Sequence, residues 1–338
     1  MKNWKTWIGL LSFIAAGAAF AQAEADLKAA IAKLKPKDFP TQPIEYTVVY
    51  PAGGGMDQTA RVLAKHAEKW SGDKIIVNNR TGGAGMVGHS FLATQAKNDG
   101  YTVGVLANFV VTDALLRAQG KWSTSDFDAI AYINNEPVQW LVSTDGAFKG
   151  KNLKEIVQIA KDKPNTVRVG VVPGSNFEFL AEDVEQATGA KFLKVPFQGG
   201  APGVTALLGN NVDVTAAFYT EYRGHLDAGK VAVVAVAGPQ RAPFLKDVPT
   251  FNEALGAKGI SWRVERFVVA PKGISSERKG YLAAVMNAAL RDPQLAGDFS
   301  KMGMVVDTSM KSPQEVAAHI EGLVRAEREF HLKMGRIK

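Results

Sequence analysis

From Ile44 to Val236 the sequence alternates short apolar runs with helical stretches, and no other feature narrows its possible folds so far. Residues 44–50, 74–78 and 101–107 read as strands. Between them, about 56–70 and 85–95 read as helices, with Ala60, Leu63, Ala64 and Ala67 on one face of the first. The rhythm returns further on, with strands at 167–172, 192–196, 212–218 and 231–236 and helices at 176–188 and 201–208. Short apolar strands separated by helices predict an α/β protein with parallel sheets covered on both faces. Two such series in 338 residues predict two lobes. The extended segments 127–143 and 261–271 then read as crossings, giving a first lobe of 22–133 and 251–338 and a second of 134–250.

The ends carry separate signals. Lys2 and Lys5, an apolar run from Trp7 to Phe20 and the Ala19-Phe20-Ala21 triplet read as a secretory signal over 1–21, cleaved before Gln22. The run is shorter than the roughly 20 residues of a spanning helix. No later stretch is apolar enough to span, so the expectation is a soluble periplasmic protein, and the absence of cysteine excludes disulfide staples and a lipid-bearing Cys. Residues 1–21 hold two lysines and no acid, so the formal charge falls from +7 to +5 on cleavage. The basic residues are scattered, which gives no support to nucleic-acid binding and suits attraction of small anions. Residues 22–43 hold a short amphipathic pattern in Leu27, Ile31 and Leu34. Near the C-terminus, Ser312-Pro313-Gln314-Glu315 is a capping box opening a helix with Val316, Ile320 and Leu323 in step.

The loop with the clearest chemistry is Tyr50-Pro51-Ala52-Gly53-Gly54-Gly55-Met56-Asp57, between a strand and a helix. Its glycines let backbone approach a ligand, and the helix start offers free N–H groups to an anion. Asp57, in the first turn, is placed to bond one of those N–H groups or to hold a water against the ligand. Gly83-Ala84-Gly85-Met86-Val87-Gly88 spells GxGxxG, but four residues separate it from the preceding strand and no acid ends the next one, so close helix packing explains it better than a nucleotide. The histidines show no metal-ligand spacing and no nucleophile motif is present, so neither an enzyme nor a cofactor or metal site is expected.

These loops resemble the TctC or Bug family of substrate-binding proteins that serve tripartite tricarboxylate transporters. The resemblance rests on Pro51-Ala52-Gly53-Gly54-Gly55-Met56-Asp57 with Ala60-Arg61, and on Val77-Asn78-Asn79-Arg80-Thr81-Gly82-Gly83-Ala84-Gly85. Asp99-Gly100-Tyr101-Thr102, Val195-Pro196-Phe197-Gln198-Gly199-Gly200-Ala201-Pro202 and Asp247-Val248-Pro249-Thr250 follow in the family's order. It implies two flytrap lobes that close on a small carboxylate-bearing acid, with inner-membrane transporter subunits as partners and a monomeric binding protein. Carried over by position, the ligand site would take Tyr50, Gly53, Gly54, Gly55, Met56, Asp57, Asn108 and Phe109 from lobe 1. Lobe 2 would add Ser175, Asn176, Gly199, Gly200, Ala201, Tyr219 and Thr220. A ligand sensor feeding a receptor kinase is the alternative output. Where the family often has a histidine, this chain has Glu178, which reads as the far end of a capping box on Ser175.

Overall fold

A computed structural model describes residues 22–338; the expected signal and its cleavage site lie outside the described residues. Helix α1 covers 22–34, and of its apolar residues Ile31 is buried while Leu27 and Leu34 stay exposed. The first lobe then runs β1 (Ile44–Val48), α2 (Gly55–Ser71), β2 (Ile75–Asn79), α3 (Met86–Thr94), β3 (Thr102–Ala107), α4 (Phe109–Thr112) and β4 (Phe127–Pro137). The second holds β5 (Gln139–Ser143), α5 (Leu153–Asp162), β6 (Arg168–Val171), α6 (Asn176–Thr188), β7 (Leu193–Pro196), α7 (Gly200–Leu208), β8 (Val214–Ala217), α8 (Tyr219–Asp227), β9 (Val231–Val236) and α9 (Phe251–Leu255). The chain returns through β10 (Arg263–Pro271) and ends in α10 (Ser276–Leu290), α11 (Pro293–Lys301) and α12 (Pro313–Lys333).

The two sheets have the same plan, β2-β1-β3-β10-β4 and β7-β6-β8-β5-β9. In each, three strands are parallel and the fourth runs against its neighbours: β10 is antiparallel to β3 and β4, and β5 to β8 and β9. The sheets are therefore mixed rather than wholly parallel. The reason is the crossing. A strand arriving from the other lobe enters at the cleft end, so it must run opposite to strands that finish there. Two such mixed sheets, each covered by helices, make the two-lobed α/β architecture expected from the sequence.

Local signals fix the helices that face the cleft. Gly54 caps α2 in an extended conformation without a side-chain bond, and Gly72 (φ 73°) ends it in the left-handed region, returning its N–H to Glu68 O. Ala60, Leu63 and Ala67 of α2 are fully buried against the sheet. Ser312 and Glu315 form the expected box on α12, at 3.2 and 3.1 Å. Gly88 of α3 lies so close to β1 that an added Cβ would stand 2.5 Å from Val49 Cγ1, which is the close packing expected of the GxGxxG segment.

Candidate functional site

Strands β1, β3, β6, β7 and β8 all finish at the cleft, and the loops after them form its walls. This is the crevice outside the carboxyl ends of α/β strands where ligands are generally held. The walls enclose a cavity of about 30 Å³, room for about two waters. The lobes are shut across it: Ala84 N donates to Gln198 Oε1 (2.8 Å), Gln58 Nε2 to Thr220 O (3.3 Å) and Gly55 N to Glu221 Oε1 (3.4 Å).

From lobe 1, Tyr50, Gly54, Gly55, Met56 and Phe109 line the cavity. Gly53 and Asp57 do not. Gly53 takes φ +80° and its N–H donates to Asp57 Oδ2 (2.9 Å), which also accepts from Arg61 Nε (3.0 Å). Asp57 thus braces its own loop. Burial opposes its ionisation, but Arg61 and the Gly53 N–H outweigh that and hold the carboxyl below its usual range. Asn108 is also directed away: its side-chain oxygen accepts from Glu265 N (3.0 Å), tying the end of β3 to β10.

From lobe 2, Gly199, Gly200 and Ala201 line the cavity, at the open start of α7. Ser175 is buried as the cap of α6, accepting from Phe177 N (3.2 Å). Asn176 is turned to the Arg263 carbonyl. Tyr219 packs on Tyr222 and Phe244, and Thr220 meets Gly55 from across the cleft, its Oγ1 2.7 Å from where a Gly55 Cβ would stand. Glu178 does brace α6, but its carboxylate accepts from Gly174 N (2.7 Å) rather than from Ser175 N, whose N–H goes to Val172 O. Gly174, at φ +68°, brings its own N–H round to the acid.

The cavity's apolar body is made by Pro51, Val172, Phe177, Pro202 and Phe218, of which sequence reasoning missed Val172, Phe177 and Pro202, and it also missed the one acid in the lining, Glu221. Oε2 of Glu221 accepts from Phe218 N (2.9 Å) at the start of α8, and Oε1 faces Gly55 N. Enclosure between the lobes pushes this carboxyl up to about 7, against the pull of those two N–H groups. Beneath the cavity, Arg266 is fully buried. It bonds Glu136 Oε2 (2.8 Å) and Asn134 Oδ1 (3.2 Å), while Glu136 Oε1 accepts from Tyr219 N (2.8 Å). A glutamate three residues into a helix that follows a strand is a cap signal that could have marked Glu221. Charges inside an otherwise apolar strand could have marked Arg266.

Larger cavities lie elsewhere: about 420 Å³ between the start of α5 and β9, about 250 Å³ between α12 and the first sheet, about 230 Å³ beside the crossings at 135–137 and 238–244, and about 190 Å³ where α1 meets α2 and α10. None of these lies between facing helix starts, so size alone does not choose the site. Among the described residues no group of three or more His, Cys, Asp or Glu is placed to hold a metal ion.

A family model described as the tripartite tricarboxylate transporter family receptor matches residues 59–332. The chain is similar to a UPF0065 protein of Cupriavidus necator from the gbd 5′ region, 28% identical over 96% of this chain and 98% of that one. Among solved structures it is similar to periplasmic binding protein BugD, with a TM-score of 0.82 and 27% identity over 89% of this chain and 100% of the other. It is also similar to an R. palustris protein solved with adipate, with a TM-score of 0.80 and 25% identity over 88% and 99%.

Proposed function

The chain belongs to the tripartite tricarboxylate transporter receptor family, and we propose that it is a periplasmic solute-binding protein that captures a small carboxylate-bearing organic acid and presents it to inner-membrane transporter subunits. The observation that carries this reading is the facing of two open helix starts, Gly54-Gly55 of α2 and Gly199-Gly200 of α7, across one cavity. Neither start has a side-chain cap of its own, and although Gly54 N bonds Pro51 O (3.3 Å) and Gly55 N makes a long bond to Glu221 (3.4 Å), the positive ends of both helices face the cavity, where they suit an anion. The adipate held by the R. palustris neighbour supports a carboxylate ligand. Among the described residues no helix is long and apolar enough to cross a membrane, as a periplasmic capture protein requires.

A thermal-shift screen of organic acids tests the reading. An acid present at 100 times its dissociation constant should stabilise the protein by about 2.7 kcal/mol. A screen in which no acid moves the unfolding temperature, backed by calorimetry without heat, would remove carboxylate capture.

A further inference from the structure

The Glu221 carboxyl lies where three helix starts converge. Its own helix α8 supplies Phe218 N, α2 supplies Gly55 N, and α7 brings Gly200 so near that an added Cβ would fall on the carboxyl. The remaining walls are apolar, with Phe109, Phe177 and Phe218 around Met56, and among the described residues no lysine, arginine or histidine lines the cavity. We propose that Glu221 sets the ligand class: a single carboxylate on an apolar body, with an amine or hydroxyl group that donates to Glu221, in preference to dicarboxylates. This rests on the carboxylate-binding reading above and refines it.

Charge balance carries the argument. Each helix start is equivalent to about half a positive charge. Three of them offset most of an ionised Glu221 together with one ligand carboxylate. A second ligand carboxylate has no cation to meet in this cavity and lies against Glu221. A donor group has a partner instead, because Oε1 receives only the long 3.4 Å bond from Gly55 N and a carboxylate oxygen has lone pairs to spare.

The charged groups facing Glu221 are few. On β4 there is Glu136, and on β10 Arg266, held to each other at 2.8 Å. The first turn of α2 carries Asp57, engaged with Arg61 and Gly53, while α7 has no ionisable side chain. Its own helix adds Tyr222, whose hydroxyl faces Gln139 at 3.4 Å. Arg266 is thus taken up by Glu136, and burial between the lobes pushes the Glu221 carboxyl up to about 7.

Calorimetry on the purified protein and on Glu221→Gln tests this with a matched panel: monocarboxylates plain, α-hydroxy and α-amino, and the corresponding dicarboxylates with adipate among them. Gln keeps the acceptor for Phe218 N, and an unchanged unfolding temperature checks that the variant is folded. At about pH 8 the native protein should favour the hydroxy or amino monoacids over the diacids by about tenfold or more, and Glu221→Gln should shift that ratio toward diacids by about tenfold. Acidification to about pH 6 should tighten diacid binding in the native protein and leave the variant flat. If both proteins bind acids with the same mono-to-diacid ratio, the selectivity role of Glu221 is overturned while carboxylate capture stands. If neither binds any acid, carboxylate capture fails and this inference fails with it.

Discussion

Arg266 and Glu136 hold the floor of the cleft together as a fully enclosed ion pair. The guanidinium also lies over the Phe218 ring, 5.2 Å from its centre, so one side chain links β10, β4 and the start of α8. Burial raises the Glu136 carboxyl above its usual range, and the charge and hydrogen bond of Arg266 pull it back. Removing one partner of such a pair is costly, because the other charge stays buried without compensation. Arg266→Met should therefore lower stability by about 3–5 kcal/mol in urea unfolding. Adding Glu136→Gln to it should restore part of the loss. A loss under about 1 kcal/mol for the single variant would mean that the pair contributes little. Neither residue stood out in the sequence. Their strands read as crossings, and which face a crossing strand buries depends on the neighbour it meets in space.

Helix α2 is the element on which the proposed anion capture and the contact between lobes meet. Its first residue, Gly55, has an ordinary helical backbone, so alanine suits it and should stabilise lobe 1 by a few tenths of a kcal/mol to about 1 kcal/mol. Its side chain would nevertheless point into lobe 2, 2.7 Å from Thr220 Oγ1 and 3.6 Å from Glu221 Cγ. Gly55→Ala is thus expected to leave the unfolding temperature level or raised while weakening acid binding by about tenfold or more, measured by calorimetry. Thr220→Ala in the same chain should recover part of the affinity. Unchanged affinity in the single variant would show that the two helices do not approach each other in the bound form. The neighbouring Gly54 has φ −74°, a value any residue adopts, so its glycine reflects closeness to Pro51 O (3.2 Å from an added Cβ) and not backbone strain.

At the scale of the molecule, the cavity of about 30 Å³ is too small for an organic acid, yet its walls carry the groups that would hold one. The bonds that shut it are few and mostly at the rim, such as Ala84 N to Gln198. The chain passes between lobes only at β4–β5 and between β9 and β10, which is the geometry of hinge closure. Small-angle scattering should then show a smaller radius of gyration with saturating acid than without. Equal radii would indicate lobes that do not move with the ligand.

The sequence by itself determined the alternation of strands and helices, the glycine-rich turn at Gly53–Gly55, and the caps at Ser175 and Ser312. Each depends on residues within about four positions of one another, where backbone sterics and local hydrogen bonds decide. Helix α6 was legible to the residue, since Ser175 opens it and Gly189 (φ 77°) closes it. Only the tertiary structure decided that Asn108 turns away from the cavity while Phe177, Phe218 and Glu221 turn into it. It alone decided that β5 and β10 run against their neighbours. Those outcomes depend on what the opposite lobe presents across the cleft, from residues more than a hundred positions away, and no local pattern encodes that meeting.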